Sequence, residues 1–439
     1  MSPELTTVLM IASLLVLLAG FPLAFGVGTV GIFFGLLTTG PGFMYMIAPR
    51  VMDGILSAYI LAAVPLFIFM GNMMQSSGVA EKAFRILHRW MGGINGGLAV
   101  ATVVLAVIFA ATTGVVGASE TAIGLLAVPS MLKARYSKSL ASGSVCAGGT
   151  LGILIPPSIM LILYAPMAGV SVLQMFAGAI IPGIMLGLFY IIYILIRCAI
   201  DPAMGPSMAA DERQAIFTRE SLIDGCKYLL PPLFLVFLVL GSIFFGVASP
   251  TEAGAVGSIG ATLLGLVYKG LTWKTFKENC YVTIRVTAMI VFIAVAASLF
   301  TGAFLSAGCG NVITSTLESF GLGPWGIFIT MLLIILFLGM FIDWIGILMI
   351  IVPIFSPMLM GLGFNPLWVG LVICTSLQIS FLTPPFAYSI FYLKGINVGL
   401  DLPEMYRGIV PFVGIQVLVV ILIIVFPEIC LWLPKMMSN

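Results

Sequence analysis

Charge is what this sequence has least of. Of its 439 residues only 8% are Asp, Glu, Lys or Arg, the net charge is +2, and there is a single histidine. No lysine or arginine occurs between Val286 and Leu393. A chain this poor in charge cannot cover a soluble surface, and so small a net charge does not favour nucleic acid. Soluble domains and nucleic-acid-binding proteins are therefore excluded.

Motifs for metal clusters and disulfides are also missing. The seven cysteines are scattered through apolar segments without CxxC spacing, which predicts small buried hydrophobic residues. The single histidine, His88, lies in a basic loop, away from any apolar span. We therefore expect no organic cofactor and no enzymatic activity.

Hydrophobic residues make up 61% of the chain and recur in runs of about 20, the length that crosses a bilayer. This predicts an all-α polytopic membrane protein. The basic residues fall in short loops, and the positive-inside rule places all of the 18 lysines and arginines except Arg50 and Lys435 in the cytoplasm. Both termini are then predicted to lie outside.

The sequence repeats its helix-breaking landmarks. Pro156-Pro157 recurs as Pro384-Pro385, and other landmarks follow at nearly the same offset: Pro22 and Pro250, Gly78 and Gly308, Pro182 and Pro411. This predicts a first repeat over 1–200, a cytoplasmic connector over 201–228 and a second repeat over 229–439. About five crossings plus one hairpin in each repeat is an odd number, so the two repeats are predicted to be inverted.

Two segments are predicted to be re-entrant hairpins, at 90–132 and 324–359. Their apolar arms are at most 14 residues long in the sequence, about 21 Å of helix against roughly 30 Å of hydrocarbon. Polar tips at 112–121 and 339–344 separate the arms. The first hairpin should enter from the cytoplasm and the second from outside.

Two further segments, 139–167 and 365–393, are predicted to be broken helices. Each proline lacks an N–H and crowds the preceding turn, so each proline pair interrupts a helix. A single such break is more often a kink repaired by neighbouring helices, but two matched copies favour a binding site built from open backbone.

Two acids, Glu120 and Asp343, lie at the predicted hairpin tips. An acid inside a bilayer costs about 2.5–3.5 kcal/mol and needs a partner: a proton, backbone N–H groups or a cation. A helix N-cap is an equally good interpretation for either one alone. Hydroxyls and open carbonyls nearby favour a hard cation such as sodium. Helix starts near Pro157 and Pro385 suit a carboxylate substrate.

Three stretches resemble a known family: GGTLGILIPPSIMLILYAPMAGVSVLQMFAGAIIPGIM, GASETAIG and FLTPPFAYSIFYLKGI. They are similar to the large membrane subunit of tripartite ATP-independent periplasmic (TRAP) transporters. The resemblance implies an elevator-type carrier in the bacterial or archaeal inner membrane that takes up organic acids with sodium. It also implies two partners, a separate small four-helix membrane subunit and a periplasmic substrate-binding protein.

The resemblance and the helix breaks together assign site residues. Substrate contacts are predicted at Ser119, Thr150, Pro156, Pro157, Ser158, Asp343, Thr383, Pro384 and Pro385. Sodium ligands are predicted at Thr113, Gly117, Ser119, Gly149, Thr150, Gly339, Asp343, Thr375, Gln378 and Thr383.

Alternatives and substrate stay open at this level. A stand-alone sodium and dicarboxylate symporter would share both hairpins, a channel would need a continuous polar pore, and an enzyme is the weakest option. A C4-dicarboxylate, a 2-oxo acid or a sialic-acid-like sugar acid would fit the same backbone-lined site.

Overall fold

The computed structural model describes residues 2–18, 21–114, 116–208, 218–396 and 399–437, apart from the side chains of residues 16–18, 113 and 118. The described residues are helical and contain no strand. The helices of the first half are α1 (Pro3–Leu18), α2 (Leu23–Thr39), α3 (Gly42–Val51), α4 (Ala63–Ser76), α5 (Val79–Met91), α6 (Gly97–Thr113), α7 (Val116–Lys133), α8 (Lys138–Thr150), α9 (Ile159–Met167) and α10 (Val172–Ile200).

Ten more helices form the second half. They are α11 (Arg219–Phe244), α12 (Pro250–Val267), α13 (Trp273–Ser306), α14 (Cys309–Ser319), α15 (Pro324–Gly339), α16 (Trp344–Gly361), α17 (Pro366–Leu382), α18 (Tyr388–Gly395), α19 (Leu402–Val425) and α20 (Glu428–Met437). A π-helical turn (Met52–Leu56) and 3-10 turns (Tyr59–Ala62, Leu151–Ile153, Pro202–Met204) complete the helical elements.

Several helices are long and apolar enough to cross a bilayer. In the described part of the chain there are six, namely Tyr59–Ser76, α10, α11, α13, α16 and α19. The pair α14 and α15, bent by 118°, would make a seventh. The prediction of an all-α, multi-pass membrane protein is therefore confirmed.

Landmarks matched in the sequence occupy matching places in the structure. Gly78 and Gly308 both adopt left-handed backbone, with φ of 72° and 74°, immediately before α5 and α14. Both proline pairs follow a helix and contain a cis peptide bond. The halves differ where α13 runs unbroken for 34 residues, because its counterpart is divided into α3, two short turns and α4. The inverted orientation of the halves stays a prediction.

The helices form two groups. In the first, called the scaffold, α13 packs along α2 and α4, and α4 packs on α12. Polar side chains join α4 to α13: the Asn72 amide donates to the Thr283 hydroxyl at 3.2 Å, and the Asn279 amide donates to Ser76 at 2.9 Å. The second group, called the core, contains both hairpins and both broken helices, with α19 packed on α8 and α17.

The hairpin arms are longer than the sequence predicted. Helices α6, α7, α15 and α16 contain 17, 18, 16 and 18 residues, so the longest reach about 27 Å. The predicted limit of 14 residues was wrong because polar side chains at the tip do not end the helix. Thr112, for example, bonds the carbonyl of Phe109 within α6 at 2.9 Å. Arm length alone therefore no longer implies re-entrance, which rests on the flanking charges.

The predicted connector, 201–228, includes the start of α11. This helix begins at Arg219, with the Thr218 hydroxyl accepting from the Ser221 N–H at 3.2 Å. Residues 209–217 lie outside the described part of the chain. At the start of α12, Glu252 and Ser249 form a reciprocal capping box.

Cysteine labelling tests the orientation of the hairpins. In a background without native cysteines, Ile94→Cys and Lys133→Cys should react with an impermeant maleimide only from the cytoplasm. Phe320→Cys and Gly361→Cys should react only from outside, because the second half is predicted to be inverted. Permeabilised vesicles provide the control, in which all four positions react. Labelling of both hairpins from the same side would contradict the inverted repeat.

Candidate substrate and ion site

The first helix break is buried inside the protein. Helix α8 ends at Thr150, the chain makes a 3-10 turn, and α9 begins only at Ile159. The Ser158 hydroxyl donates to the Ile153 carbonyl at 2.5 Å and so closes the break with a side chain. Every residue from Thr150 to Ile159 is buried. Gly148 and Gly149 lie in the last turn of α8, so the interruption comes from the proline pair.

A carboxylate packs against the end of α8. Glu120, one turn inside α7 rather than at the hairpin tip, fits over Gly149, where a Cβ would overlap its Cγ. Its side chain is 0% exposed, and neither carboxylate oxygen has a hydrogen-bond partner among the described residues. The hydroxyl of Ser389 in α18 lies beside it. A buried carboxylate without a partner is costly, so this position requires a proton or a cation.

Most predicted hydroxyl ligands bond within their own helices. Ser119 donates to Val116, Thr150 to Ala147, Thr375 to Leu371 and Thr383 to Ile379, at 2.5–2.8 Å. Each proton is thereby satisfied, while lone pairs on the oxygens remain as acceptors. The side chain of Thr113 lies outside the described part of the structure. Hydroxyls held in this way offer oxygen to a cation without losing their own bonds.

Gln416 is a neighbour of this site that the sequence analysis missed. It is fully buried in α19, and its amide donates to the Thr150 hydroxyl at 3.4 Å. Its own amide oxygen has no partner among the described residues, and the Tyr190 hydroxyl beside it also lacks one. A glutamine within an otherwise apolar run was the available signal.

The second break is partly open. Helix α17 ends at Leu382 and α18 begins at Tyr388, preceded by Ala387 in left-handed backbone with φ of 44°. Here Pro384 and Pro385 are exposed, unlike their counterparts in the first half. The Tyr406 hydroxyl donates to the Pro385 carbonyl at 3.2 Å. The two breaks therefore share a sequence pattern but not an environment.

Unpartnered polar atoms also collect along α17. The Gln378 amide is 0% exposed, and neither its oxygen nor its nitrogen has a partner among the described residues. The hydroxyl oxygens of Ser376 and Ser380 are also buried without a hydrogen-bond partner among the described residues. Gly339, at the end of α15, packs directly on the Ser380 side chain. The structure thus brings the predicted glycine of the second hairpin against the helix that precedes the second break.

Asp343 has two roles in the geometry. Its carboxylate accepts the Ile345 N–H at 3.4 Å and caps α16, as the N-cap interpretation predicted. It also lines a cavity of about 700 Å³ between scaffold and core. The scaffold wall comes from α2 and α13, and the core wall includes Ile159, Tyr388 and Tyr392. Among the described residues, no lysine or arginine lines this cavity.

Among the predicted substrate contacts, only Asp343 lines this cavity. Pro156, Pro157 and Ser158 are buried behind Ile159 in the closed first break. Tyr392, which the sequence analysis missed, joins the cavity to the first hairpin, because its ring lines the cavity and also packs on Gly117. Glu120 is fully buried and does not line the cavity.

A family model described as "Tripartite ATP-independent periplasmic transporter, DctM component" matches residues 9–429. The chain belongs to this family. It is a TRAP transporter large permease subunit, and therefore a multi-pass inner-membrane transport protein.

The names of the relatives of this TRAP subunit refer to different transported compounds. It is 30% identical, over 96% of both chains, to a C4-dicarboxylate TRAP transporter large permease protein from Vibrio cholerae. It is 28% identical over 96% of both chains to a sialic acid TRAP transporter large permease protein from the same organism. An ectoine TRAP transporter large permease protein from Halomonas elongata is 29% identical, over 98% of this chain and 99% of that one.

Solved structures with the same fold are more distant. The TRAP subunit superposes on the YdaH transporter of Alcanivorax borkumensis with a TM-score of 0.65 at 15% identity, over 96% of this chain and 99% of that one. MtrF of Neisseria gonorrhoeae gives a TM-score of 0.62 at 14% identity, over 99% of this chain and 95% of that one. At this identity the likeness concerns the fold alone.

The contact between Gly339 and Ser380 can be tested by rescue. Gly339→Ala places a methyl group on the Ser380 side chain and should lower the free energy of unfolding by about 1–3 kcal/mol. Adding Ser380→Gly removes the overlap and should restore the thermal midpoint. Gly361→Ala is the matched control, since no heavy atom lies within 4 Å of a Cβ there. An unchanged midpoint in Gly339→Ala would show that the two elements are not packed as described.

Proposed function

We propose that this chain imports an organic acid across the inner membrane in symport with sodium, as the large membrane subunit of a three-component transporter. The observation that carries the proposal is the concentration of buried polar atoms without partners beside both helix breaks. Glu120 and Gln378 are fully buried examples, one in each half. Such atoms are costly in a bilayer unless a ligand completes them.

Two sodium sites are proposed, one in each half. The first uses the hairpin around Gly117 and Ser119, the end of α8 at Gly149 and Thr150, and the carboxylate of Glu120. Thr113 belongs to the same hairpin. The second uses Gly339, Asp343, Thr375, Gln378 and Thr383. Carboxylate, amide, hydroxyl and carbonyl oxygens form the donor set that a hard cation prefers.

The substrate is proposed to bind in the cavity beside Asp343. The first residues of three helices line it, Ile159 of α9, Trp344 of α16 and Tyr388 of α18. Partial positive charge at helix starts favours a carboxylate. Asp343 opposes it, and no basic side chain on the wall offsets that repulsion. Sodium bound at Asp343 removes the repulsion. Sodium and the substrate then each raise the affinity of the site for the other.

The proposed transport mechanism is of the elevator type. The cavity lies between the scaffold and the core, so a movement of the core against the scaffold would carry bound substrate across the membrane. Both breaks and both hairpins belong to the core, and the sodium sites would travel with it. The two inverted repeats supply the two symmetry-related arrangements that alternating access requires.

The substrate class is an organic acid: a C4-dicarboxylate, a 2-oxo acid or a sialic-acid-like sugar acid. Relatives named for C4-dicarboxylates and for sialic acid support this range. Selection among them is assigned to a periplasmic substrate-binding protein, and a small four-helix membrane subunit is the second proposed partner. Both chain termini then face the periplasm. A stand-alone symporter is the alternative, which transport by the purified chain without a binding protein would favour.

Sodium dependence is the direct test of the coupling. Uptake into proteoliposomes should fall to background when external sodium is replaced by choline at fixed pH, because the acids in the site then have no cation. At 100 mV each sodium ion contributes about 2.3 kcal/mol to uptake. A proton gradient without sodium serves as the control condition. Undiminished uptake driven by that gradient would make Glu120 or Asp343 a proton carrier instead.

Asp343→Asn separates the two roles of this residue. Asparagine caps helices as well as aspartate does, so the thermal midpoint should hold. The sodium concentration for half-maximal uptake should rise at least about tenfold, as expected when a charge-assisted ligand is lost. Asp343→Ala is the comparison variant, because it also removes the cap and should cost about 1 kcal/mol of stability. Normal sodium dependence in Asp343→Asn would show that this residue acts only as a helix cap.

A further inference from the structure

A basic and aromatic cluster lies where α5, α11 and the end of α12 meet, on the side that is predicted to face the cytoplasm. It consists of Lys82 on α5, Lys227 and Tyr228 on α11, and Tyr268 directly after α12. The Lys82 ammonium lies 5.1 Å from the centre of the Tyr228 ring and 5.7 Å from that of Tyr268. The Lys227 ammonium lies 5.4 Å from the same Tyr228 ring. Two like charges therefore converge on one aromatic ring.

The cluster is held in place by contacts between helices. The Tyr228 and Tyr268 rings pack with their centres 5.5 Å apart, and the Tyr268 hydroxyl donates to the Lys227 carbonyl. Two helices, α5 and α11, thereby bring their ammonium groups to the same tyrosine ring, and the end of α12 supplies the second ring. Such an arrangement is a preformed surface and not a pair of free lysine side chains.

No carboxylate in the described residues neutralises these lysines. The ion pairs found there join Arg85 to Glu81, Lys138 to Glu404 and Lys435 to Glu428. Glu81, the sequence neighbour of Lys82, is thus bonded to Arg85 on another face of α5. The tyrosine faces stabilise the ammonium groups through cation–π attraction but leave their net charge unchanged. The cluster therefore carries positive charge that no described carboxylate balances.

An apolar stripe continues from the cluster into the membrane. On α11, Lys227 shares a face with Leu230, Phe234 and Leu238, which follow at helical spacing and are all exposed. Helix α12 packs beside α11 and exposes Leu263 and Val267 just before Tyr268. Tyrosine and lysine at the end of an apolar stripe are typical of the level of lipid headgroups.

We propose that this cluster is a binding site for an anionic phospholipid of the cytoplasmic leaflet. The headgroup phosphate bonds Lys82 and Lys227, and the acyl chains lie along the exposed faces of α11 and α12. The apolar stripe is what favours a lipid over free phosphate, because a soluble anion would gain nothing from it. The site joins α5, α11 and α12 and does not depend on the proposed transport chemistry.

Lipid binding to the purified full-length chain tests this proposal. Native mass spectrometry in detergent would compare titrations with phosphatidylglycerol, phosphatidylcholine and inorganic phosphate. Phosphatidylglycerol should bind the wild-type chain in preference to phosphatidylcholine. The double variant Lys82→Gln with Lys227→Gln should bind it about thirtyfold more weakly, given the contribution of each lysine near an anionic lipid surface.

Two controls keep the result specific. Lys133→Gln with Lys274→Gln removes the same charge from exposed positions outside the cluster and should leave binding unchanged. Lys82→Arg with Lys227→Arg retains both charges and should retain binding, which excludes a folding defect as the cause.

Equal phosphatidylglycerol binding by the wild-type chain and the glutamine variant would overturn the proposal. Phosphate binding as tight as that of the lipid would overturn it in favour of a soluble anion. If the glutamine variant kept its lipid but lost a co-purifying acidic subunit, a protein partner would take the place of the lipid.

Discussion

Hydrocarbon offers no hydrogen bonds, so every polar group placed in the bilayer has to find a partner within the protein. The breaks in the two core helices meet this constraint with side chains. Ser158 bonds across the first break to Ile153, and Tyr406 bonds the Pro385 carbonyl in the second. The polar atoms that still lack a hydrogen-bond partner among the described residues belong to side chains such as Glu120 and Gln378. Those places are where a ligand gains most by binding.

The two halves apply one sequence pattern in two environments. In the first half the break is buried throughout and Glu120 is enclosed against Gly149. In the second half Pro384 and Pro385 are exposed, and Asp343 lines a cavity. A carrier with alternating access needs one half to be closed while the other is open. If both halves were open at once, a continuous path would cross the membrane.

Polar side chains also join helices within the scaffold, where Asn72 bonds Thr283 and Asn279 bonds Ser76. Other scaffold side chains, such as Gln75 and Thr287, keep polar atoms without a partner among the described residues. Core helices keep unpaired groups beside glycines that allow close approach, Gly149 against Glu120 and Gly339 against Ser380.

The sequence by itself determined the fold class, both helix breaks and the family, because proline and glycine act on their own backbone and hydropathy needs no neighbours. Only the tertiary structure decided that Glu120 lies on Gly149, that Tyr392 packs on Gly117 and that Gln416 reaches Thr150. It also extended the hairpin arms, since tip hydroxyls bond within their helices. These features depend on side chains from different helices meeting in space, and no local pattern encodes such a meeting.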